Sequence, residues 1–145
     1  MSQKKALILE DTAANRLFFE RLLMQAGFEI IAAETGKEAL RKLQQEESID
    51  LAILDMEIPD ITGLEMTARL RVFYPDTCIV VATMHDERSL MQSAFEKGCD
   101  VFLVKPHGFM ELFKRLTGDG SEALHANRPL VIDQYGPRIF KPALS

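Results

Sequence analysis

Short apolar runs alternate along the chain with longer segments that repeat apolar residues at helical spacing. The apolar runs, which predict strands, cover residues 6–9, 28–33, 50–54, 78–82 and 101–104. The helical segments cover about 13–26, 35–47, 64–73, 87–97 and 109–116. Strands that alternate with helices are typical of βαβ units, which build a mostly parallel sheet with helices on both faces. The pattern therefore predicts a doubly wound α/β domain.

Local signals place some of the helix boundaries. Thr35 and Glu38 have the spacing of a capping box, a hydroxyl followed three residues later by a glutamate, which predicts the start of the second helix. Gly27 predicts the end of the first helix. The core-facing side of that first helix is predicted to carry Leu17, Phe18, Leu22 and Met24 to Ala26.

The pattern changes after residue 117. A short helical candidate at 122–125 precedes two apolar fragments, 130–132 and 139–140, and prolines bracket both fragments. Because proline interrupts regular backbone hydrogen bonding, we expect no long element there. We therefore expect residues 1–117 to form one domain and residues 118–145 to form a C-terminal tail or linker.

The role of this tail is left open by the sequence. Its apolar fragments could dock on the domain, pair with another subunit, or bind a partner as an extended strand. It is too short for a winged-helix or catalytic output domain, so we expect either a stand-alone domain or a piece of a longer regulator.

Composition narrows the classes of protein. The chain has 145 residues, 47% of them hydrophobic, and a formal net charge of −5, which gives no basic footprint for direct contact with nucleic acid or an anionic membrane. No apolar stretch approaches the roughly 18 residues of a transmembrane helix. Cys78 and Cys99 lack metal or disulfide spacing and are predicted to be small buried hydrophobes. We expect a cytoplasmic protein.

Reactive side chains follow four of the predicted strands directly. They are Glu10 and Asp11, Asp55, Thr83, and Lys105. The carboxyl ends of parallel strands lie along one edge of a sheet, where α/β proteins bind their ligands. We therefore expect these side chains to form one site.

Three carboxylates in one place favour a cation between them. Mg²⁺ takes oxygen ligands and keeps positions for water or phosphate oxygens. No histidine or cysteine accompanies the acids at a metal-ligand spacing, which argues against zinc. A metal ion, a hydroxyl and an ammonium suit phosphoryl transfer, and Asp55 can act as the nucleophile because a carboxylate can form an aspartyl phosphate.

These residues together resemble the motif set of the response-regulator receiver domain over about residues 4–117. The matching motifs are Glu10-Asp11, Asp55 with Ile58-Pro59-Asp60-x-x-Gly63, Thr83, and Gly98-x-x-x-Phe102-Leu103-x-Lys105-Pro106. The resemblance implies a flavodoxin-like five-stranded parallel sheet with strand order 2-1-3-4-5. It also implies a cis bond at Lys105-Pro106.

The resemblance implies a role for each site residue. Asp55 becomes the phosphoacceptor, Asp11 a direct Mg²⁺ ligand, and Glu10 an acid that holds the metal through water. The backbone carbonyl of Glu57 completes the metal site.

A second set of implied roles concerns the switch. Thr83 and Lys105 bind phosphoryl oxygens, and Phe102 is the aromatic residue whose ring turns inward when the threonine moves. The added phosphoryl charge then alters the surface formed by the fourth helix, the fifth strand and the last helix, which is the expected partner-binding face.

Three residues near the site are expected to tune rates. Glu57 and His85 occupy variable positions that set the lifetime of the acyl phosphate in such domains, and the bulk of Met84 is expected to narrow the path to Asp55. His107 and His125 have no evident ligand partners and are expected to face solvent.

The sequence thus predicts a phosphorylation-controlled signalling receiver. Its expected phosphodonor is a sensor histidine kinase or a histidine phosphotransfer protein, its downstream partner is unknown, and a homodimer is possible. We expect no enzymatic activity beyond self-phosphorylation and autodephosphorylation.

Two other functions stay open at this stage. An aspartate-nucleophile phosphatase or phosphotransferase also uses Asp, Mg²⁺, Thr and Lys. Such enzymes typically carry the motif Asp-x-Asp, whereas here Glu57 stands two residues after Asp55. A receiver-like interaction scaffold that is never phosphorylated is the second alternative, and the complete set of acids, threonine and lysine argues against it.

Overall fold

A computed structural model describes residues 4–106 and 108–142, so His107 lies outside the described residues. Within those ranges the chain forms seven strands and six helices. They are β1 (Lys4–Leu9), α1 (Ala13–Gln25), β2 (Phe28–Ala33), α2 (Gly36–Leu43), β3 (Leu51–Asp55), α3 (Gly63–Phe73), β4 (Cys78–Thr83), α4 (Arg88–Glu96), β5 (Val101–Val104), α5 (Phe109–Gly118), α6 (Gly120–Ala126), β6 (Leu130–Asp133) and β7 (Gly136–Ile139).

All strands belong to one sheet with the order β2-β1-β3-β4-β5-β6-β7. Strands β1 to β6 pair in parallel, and β7 runs antiparallel to β6. The predicted fold class and the order 2-1-3-4-5 of the first five strands are confirmed. The sheet has seven strands where five were predicted, because residues after 117 add two short strands.

The prolines of residues 118–142 are compatible with these added strands. Pro129 directly precedes β6, a position where its lack of a backbone N–H removes no hydrogen bond between strands. The Phe140 N–H donates to the Pro129 carbonyl at 2.9 Å. Hydrogen-bonded positions alternate along an antiparallel pair, so the backbone N–H and C=O of Arg138 also point toward β6. The backbone nitrogen of Pro137 points to the open edge of the sheet, where no hydrogen bond to a strand is lost.

Apolar side chains form one core layer on each face of the sheet. Helices α1, α5 and α6 cover one face with Phe19, Leu23, Leu112, Leu116 and Leu124. Helices α2, α3 and α4 cover the other face with Ala39, Leu43, Met66, Leu70, Met91 and Ala94. Strands β3 and β4 are buried along their whole length, as a central parallel strand should be.

The predicted inner side of α1 is wrong by about one position. Phe19 and Leu23 are the buried residues of this helix, whereas Phe18 and Met24 are 42% and 65% exposed. The ring of Phe19 packs edge-on against Phe109 of α5 at 4.6 Å. Because eight of the thirteen residues of α1 are apolar, its sequence alone leaves the rotation of the helix poorly determined.

Several local predictions are confirmed. The Thr35 hydroxyl accepts a hydrogen bond from the Glu38 N–H at 3.1 Å, as expected for the capping box. The Lys105-Pro106 bond is cis. Cys78 and Cys99 are both buried, and burial raises the pKa of each thiol, so neither favours the reactive thiolate form.

Asp100 is fully buried at the amino end of β5. Its carboxylate lies 2.8 Å from the Arg71 guanidinium, accepts from the Ile79 N–H at 2.8 Å, and lies 3.0 Å from His125 Nδ1. Arg128 approaches within 3.8 Å. The expectation that His125 faces solvent is therefore wrong, because α6 places its ring on this buried acid.

No helix within residues 4–106 and 108–142 is long and apolar enough to cross a membrane. The predicted compartment stays a prediction.

Candidate functional site

The register of the central strands brings the predicted site residues to one edge of the sheet. Leu9 pairs with Leu54, and Thr83 pairs with Val104, so the residues that follow β1, β3, β4 and β5 start from neighbouring positions. The site is therefore a direct consequence of where the apolar runs end.

Three carboxylates meet at this edge. Glu10 and Asp55 are buried, with 2% and 9% exposure, whereas Asp11 is exposed. One carboxylate oxygen from each of the three residues lies within 4.8 Å of the others. A set of hard oxygen donors with one side open to solvent fits a Mg²⁺ ion that also binds water or phosphate oxygens.

Glu10 is held in place from several sides. Its Oε1 accepts hydrogen bonds from the Thr12 N–H at 3.3 Å and from Asn15 Nδ2 at 3.4 Å. Its Oε2 accepts from Lys105 Nζ at 3.1 Å. The Arg16 guanidinium donates to the Glu10 backbone carbonyl at 2.8 Å. These contacts fix the Glu10 carboxylate beside Asp55 although it carries the same charge.

Lys105 brings positive charge to the acids from the end of β5. Its Nζ lies 3.1 Å from Glu10 and 3.7 Å from Asp55, and its side chain is only 11% exposed. Burial nevertheless raises the pKa of Asp55 to about 6, with a further increase from Glu10 and a decrease from Lys105. The site thus holds more negative charge than the lysine neutralises.

The loop after β3 holds Asp55 through its backbone. The Glu57 N–H donates to Asp55 Oδ1 at 3.2 Å, and the Gly63 N–H donates to the Met56 carbonyl at 2.9 Å. A Cβ on Gly63 would lie 2.7 Å from Met56 Cα and 2.8 Å from the Asp55 carbonyl oxygen. Only glycine therefore lets the start of α3 pack this closely beneath the site.

Asp60 has a structural role that the sequence did not indicate. Its carboxylate accepts from the Gly36 and Lys37 N–H groups at 2.8 and 2.9 Å, and these bonds lower the pKa of Asp60. Because those two N–H groups belong to the start of α2, Asp60 ties the loop after β3 to that helix.

Thr83 lies at the end of β4 with 2% exposure. Its hydroxyl accepts from the His85 N–H at 3.2 Å, and its backbone carbonyl accepts from the Lys105 N–H at 2.7 Å. The threonine is thus bonded to both the loop after β4 and the end of β5. Phe102 is fully buried, in the same core layer as Met91 and Val131.

The residues expected to tune rates, Glu57, Met84 and His85, lie on the loops after β3 and β4. His85 Nε2 lies 2.9 Å from Glu57 Oε1, and this contact raises the pKa of His85. The sequence pointed to Glu57 and His85 separately, whereas the structure joins them across the loops after β3 and β4. Met84 is 77% exposed.

Comparison with known proteins is consistent with this geometry. The family model described as response regulator receiver domain matches residues 6–117. A putative transcriptional regulator from Pseudomonas aeruginosa is 38% identical over 109 residues, which cover 74% of this chain and 52% of that protein.

Two solved structures show the same likeness. The chemotaxis response regulator CheY4 of Vibrio cholerae has a TM-score of 0.71 and 31% identity, over 79% of this chain and 97% of that chain. A response regulator from Burkholderia pseudomallei, solved with a phosphorylated aspartic acid, calcium ion and citrate, has a TM-score of 0.70 and 27% identity, over 83% and 70% of the respective chains.

Several curated relatives are much longer than this chain. The chain spans 32%, 52% and 22% of the length of three of them.

Proposed function

Because the chain belongs to the family of response regulator receiver domains, we propose that Asp55 is the residue that accepts the phosphoryl group. The chain is a phosphorylation-dependent signalling receiver of the two-component type, as predicted. The assignment of individual residues to steps of that function is the proposal.

One observation carries the proposal. The Asp55 carboxylate lies at the carboxyl edge of the sheet beside the carboxylates of Glu10 and Asp11 and 3.7 Å from the Lys105 ammonium. Its Oδ1 accepts from the Glu57 N–H, and its carboxylate lies beside side chains suited to phosphoryl oxygens and a cation. The aspartyl phosphate in the similar Burkholderia pseudomallei regulator supports this role.

The proposed chemistry is the transfer of a phosphoryl group to a carboxylate oxygen of Asp55, either from an oxygen of a small donor or from a nitrogen of a phosphorylated histidine. An Asp55 carboxylate oxygen forms a bond to phosphorus while the bond between phosphorus and the donor atom breaks. Lys105 then neutralises one phosphoryl oxygen, and the Thr83 hydroxyl, whose oxygen accepts from the His85 N–H, donates its hydrogen to another.

Receiver domains bind Mg²⁺ at an acidic pocket, and we assign that pocket here to Glu10, Asp11 and Asp55 with the backbone carbonyl of Glu57. When bound, Mg²⁺ supplies positive charge that lowers the repulsion between the acids and the incoming phosphoryl group. The three clustered carboxylates support this assignment.

Receivers of this kind interact with histidine kinases or histidine phosphotransfer proteins, and we propose one of these as the phosphodonor. We further propose that the chain's own chemistry is limited to gaining and losing this phosphoryl group, with Glu57, Met84 and His85 setting the rates.

The contact made by Glu57 argues against the phosphatase alternative. A general acid two residues after the nucleophile has to reach the leaving group. Glu57 instead has a side chain that is 72% exposed and paired with His85.

Intact mass measurement with acetyl phosphate as donor tests the proposal. We expect the wild type to gain one phosphoryl adduct with Mg²⁺ and much less with a chelator. Asp11→Asn should lose the Mg²⁺ effect, and the control Asp86→Asn, an exposed acid on the loop after β4, should keep it. Adduct formation that ignores both Mg²⁺ and Asp11 would refute the assigned metal site.

A further inference from the structure

The edge of β5 is covered by the chain itself. Strand β6 pairs in parallel with β5 and places Leu130, Val131 and Ile132 beside Val101, Phe102 and Leu103. These three β6 residues are 4% exposed or less. Residues 118–142, which we name the tail, therefore cover the edge of β5, the strand of the face that the family resemblance assigns to partner binding.

The amino-terminal half of the tail is packed into the core of the domain. Leu124 of α6 is 3% exposed within the core layer of α1 and α5. His125 of α6 lies on the buried Asp100 carboxylate, and the Leu130 N–H donates to the Asp100 backbone carbonyl at 2.9 Å. These contacts are those of a core element.

Gly108 shows how closely β6 packs on the end of β5. A Cβ at this position would lie 2.8 Å from Leu103 Cγ and 2.9 Å from the Ile132 carbonyl oxygen. The backbone between β5 and α5 can therefore approach β6 only because residue 108 is glycine. Gly108 thus leaves the space that β6 of the tail occupies.

The new edge that the tail creates is poorly suited to pairing. Pro137 faces the open side of β7 and offers no N–H there, and Arg138 is paired with Asp133. Proline and charge on an edge strand are common protections against further strand addition. The tail closes the sheet at this side and does not present a fresh strand to a partner.

The carboxyl-terminal half of the tail contacts α4. Phe140 is 6% exposed and its ring packs on Phe95 of α4 with 5.0 Å between centroids. The Arg88 guanidinium lies 5.1 Å from the centroid of the Phe140 ring and donates to the Lys141 carbonyl. Arg88 thus holds the end of the tail through both a cation–π contact and a hydrogen bond.

Arg88 is also linked to Thr83 through the loop after β4. It is the first residue of α4, and the loop between Thr83 and Arg88 contains His85, whose N–H donates to the Thr83 hydroxyl. When the Thr83 hydroxyl turns to donate to a phosphoryl oxygen, its oxygen, which accepts from the His85 N–H, moves with it, so the short loop that carries Arg88 moves as well.

We propose that the tail permanently occupies the β5 edge and that the contact of Arg88 with Phe140 and Lys141 transmits the state of the Asp55 site to the tail. This inference rests on the proposed function of Asp55. A partner that distinguishes the two states then contacts the rim formed by the start of α4 and the end of the tail, while the β5 edge stays closed in both.

Hydrogen–deuterium exchange on the full chain, with and without Mg²⁺ and beryllofluoride as a phosphoryl analogue, tests both parts. We expect exchange to change in the site loops, residues 56–62 and 84–87, and in residues 136–141. Residues 130–133 should stay as protected as β5 in both states. The same changes should be lost in Asp55→Asn.

Variants at the contact isolate the coupling. Arg88→Ala should leave the response of the site loops intact. Exchange in residues 136–141 should become about 2- to 5-fold faster, the size expected when one exposed cation–π contact is lost. Exchange in these residues should also no longer respond to the analogue. Phe140→Leu should act similarly while keeping an apolar side chain. The matched control is Arg69→Ala, an exposed arginine of α3 that pairs only with Glu65 in the described structure.

Each contrary result has a separate meaning. Faster exchange of residues 130–133 with the analogue would show that the tail is released, which overturns permanent occupancy. A response in the site loops without one in residues 136–141 would overturn the coupling alone. No response in the site loops of the wild type would refute the proposed function, and the inference with it.

Discussion

Two acidic centres lie at opposite ends of the sheet and differ in how their charge is neutralised. At the carboxyl edge, the carboxylates of Glu10, Asp11 and Asp55 gather near the single ammonium of Lys105. At the amino end of β5, Asp100 alone is bonded by a guanidinium, a backbone N–H and an imidazole. The first centre gathers three carboxylates beside one ammonium, whereas the second places the guanidinium groups of Arg71 and Arg128 near one carboxylate.

The difference separates the proposed phosphoacceptor site from a structural centre. Asp100 has no oxygen left for a ligand, and its partners come from α3, β4 and α6, so it fastens three parts of the fold together. Asp55 has a raised pKa of about 6 because its surroundings leave the carboxylate only partly compensated. A cation or a phosphoryl group can supply what is missing there.

Replacing Asp100 should have the largest effect on stability. Asp100→Ala leaves Arg71 and His125 without the carboxylate they surround and should lower the free energy of unfolding by about 3–5 kcal/mol. Urea unfolding measures this change, and Asp76→Ala, an exposed acid before β4, is the control. A loss equal to that of the control would mean that Asp100 does not fasten the tail to the domain.

Replacing Lys105 should have the next largest effect. Lys105→Ala removes the charged hydrogen bond to Glu10 and should cost about 2–3 kcal/mol in metal-free buffer. Because Mg²⁺ can replace the missing positive charge, the ion should stabilise this variant more than the wild type. Unfolding with and without Mg²⁺ shows the difference, with the exposed Lys114→Ala as control. If Mg²⁺ stabilised the variant and the wild type equally, the ion and Lys105 would not neutralise the same carboxylates.

Replacing Asp55 should raise stability where replacing Asp100 lowers it. The pKa of Asp55 is higher in the folded chain than its ordinary 3.8, so the charged carboxylate destabilises the fold above pH 6, and this penalty disappears below about pH 4. Asp55→Asn should therefore raise the free energy of unfolding by about 1–2 kcal/mol at pH 7 without metal. Urea unfolding at pH 7 and pH 4 with a chelator measures the gain. A gain that persists at pH 4 would rule out charge as its cause.

The smallest effect concerns the contact between Glu57 and His85. Because hydrogen bonding to Glu57 raises the pKa of His85, Glu57→Gln should move that pKa down toward its ordinary value. NMR titration of the imidazole follows the shift. Glu96→Gln, on the exposed side of α4 and bonded to Gln92, should leave the pKa of His85 unchanged. An equal shift in both variants would mean that general charge, not the contact, sets the value.

The sequence was sufficient to predict that the side chains of the proposed site lie together, because their placement follows from a simple regularity. Each of Glu10, Asp55, Thr83 and Lys105 comes directly after an apolar run, and parallel strands bring those ends together. The positions of the strands and the helix start at Thr35 depend on equally local signals.

The structural centre and the tail were not predictable in the same way. Asp100 stands just before an apolar run without any local sign of a partner, and its contacts Arg71 and His125 are 29 and 25 residues away. The tail strands have four residues each, and Pro129 and Pro137 marked them as irregular. The rotation of α1 was misjudged because apolar residues lie all around it, so packing against Phe109 decides which ones are buried.

The most direct test locates the phosphoryl group itself. The full chain is treated with acetyl phosphate and Mg²⁺, the acyl phosphate is reduced with borohydride to homoserine, and peptides are sequenced by tandem mass spectrometry. We expect homoserine at residue 55 in the wild type, and none in Asp55→Asn. Modification at Asp11 or Asp100 in the wild type, or no modification with either acetyl phosphate or a phosphorylated histidine donor, would contradict it.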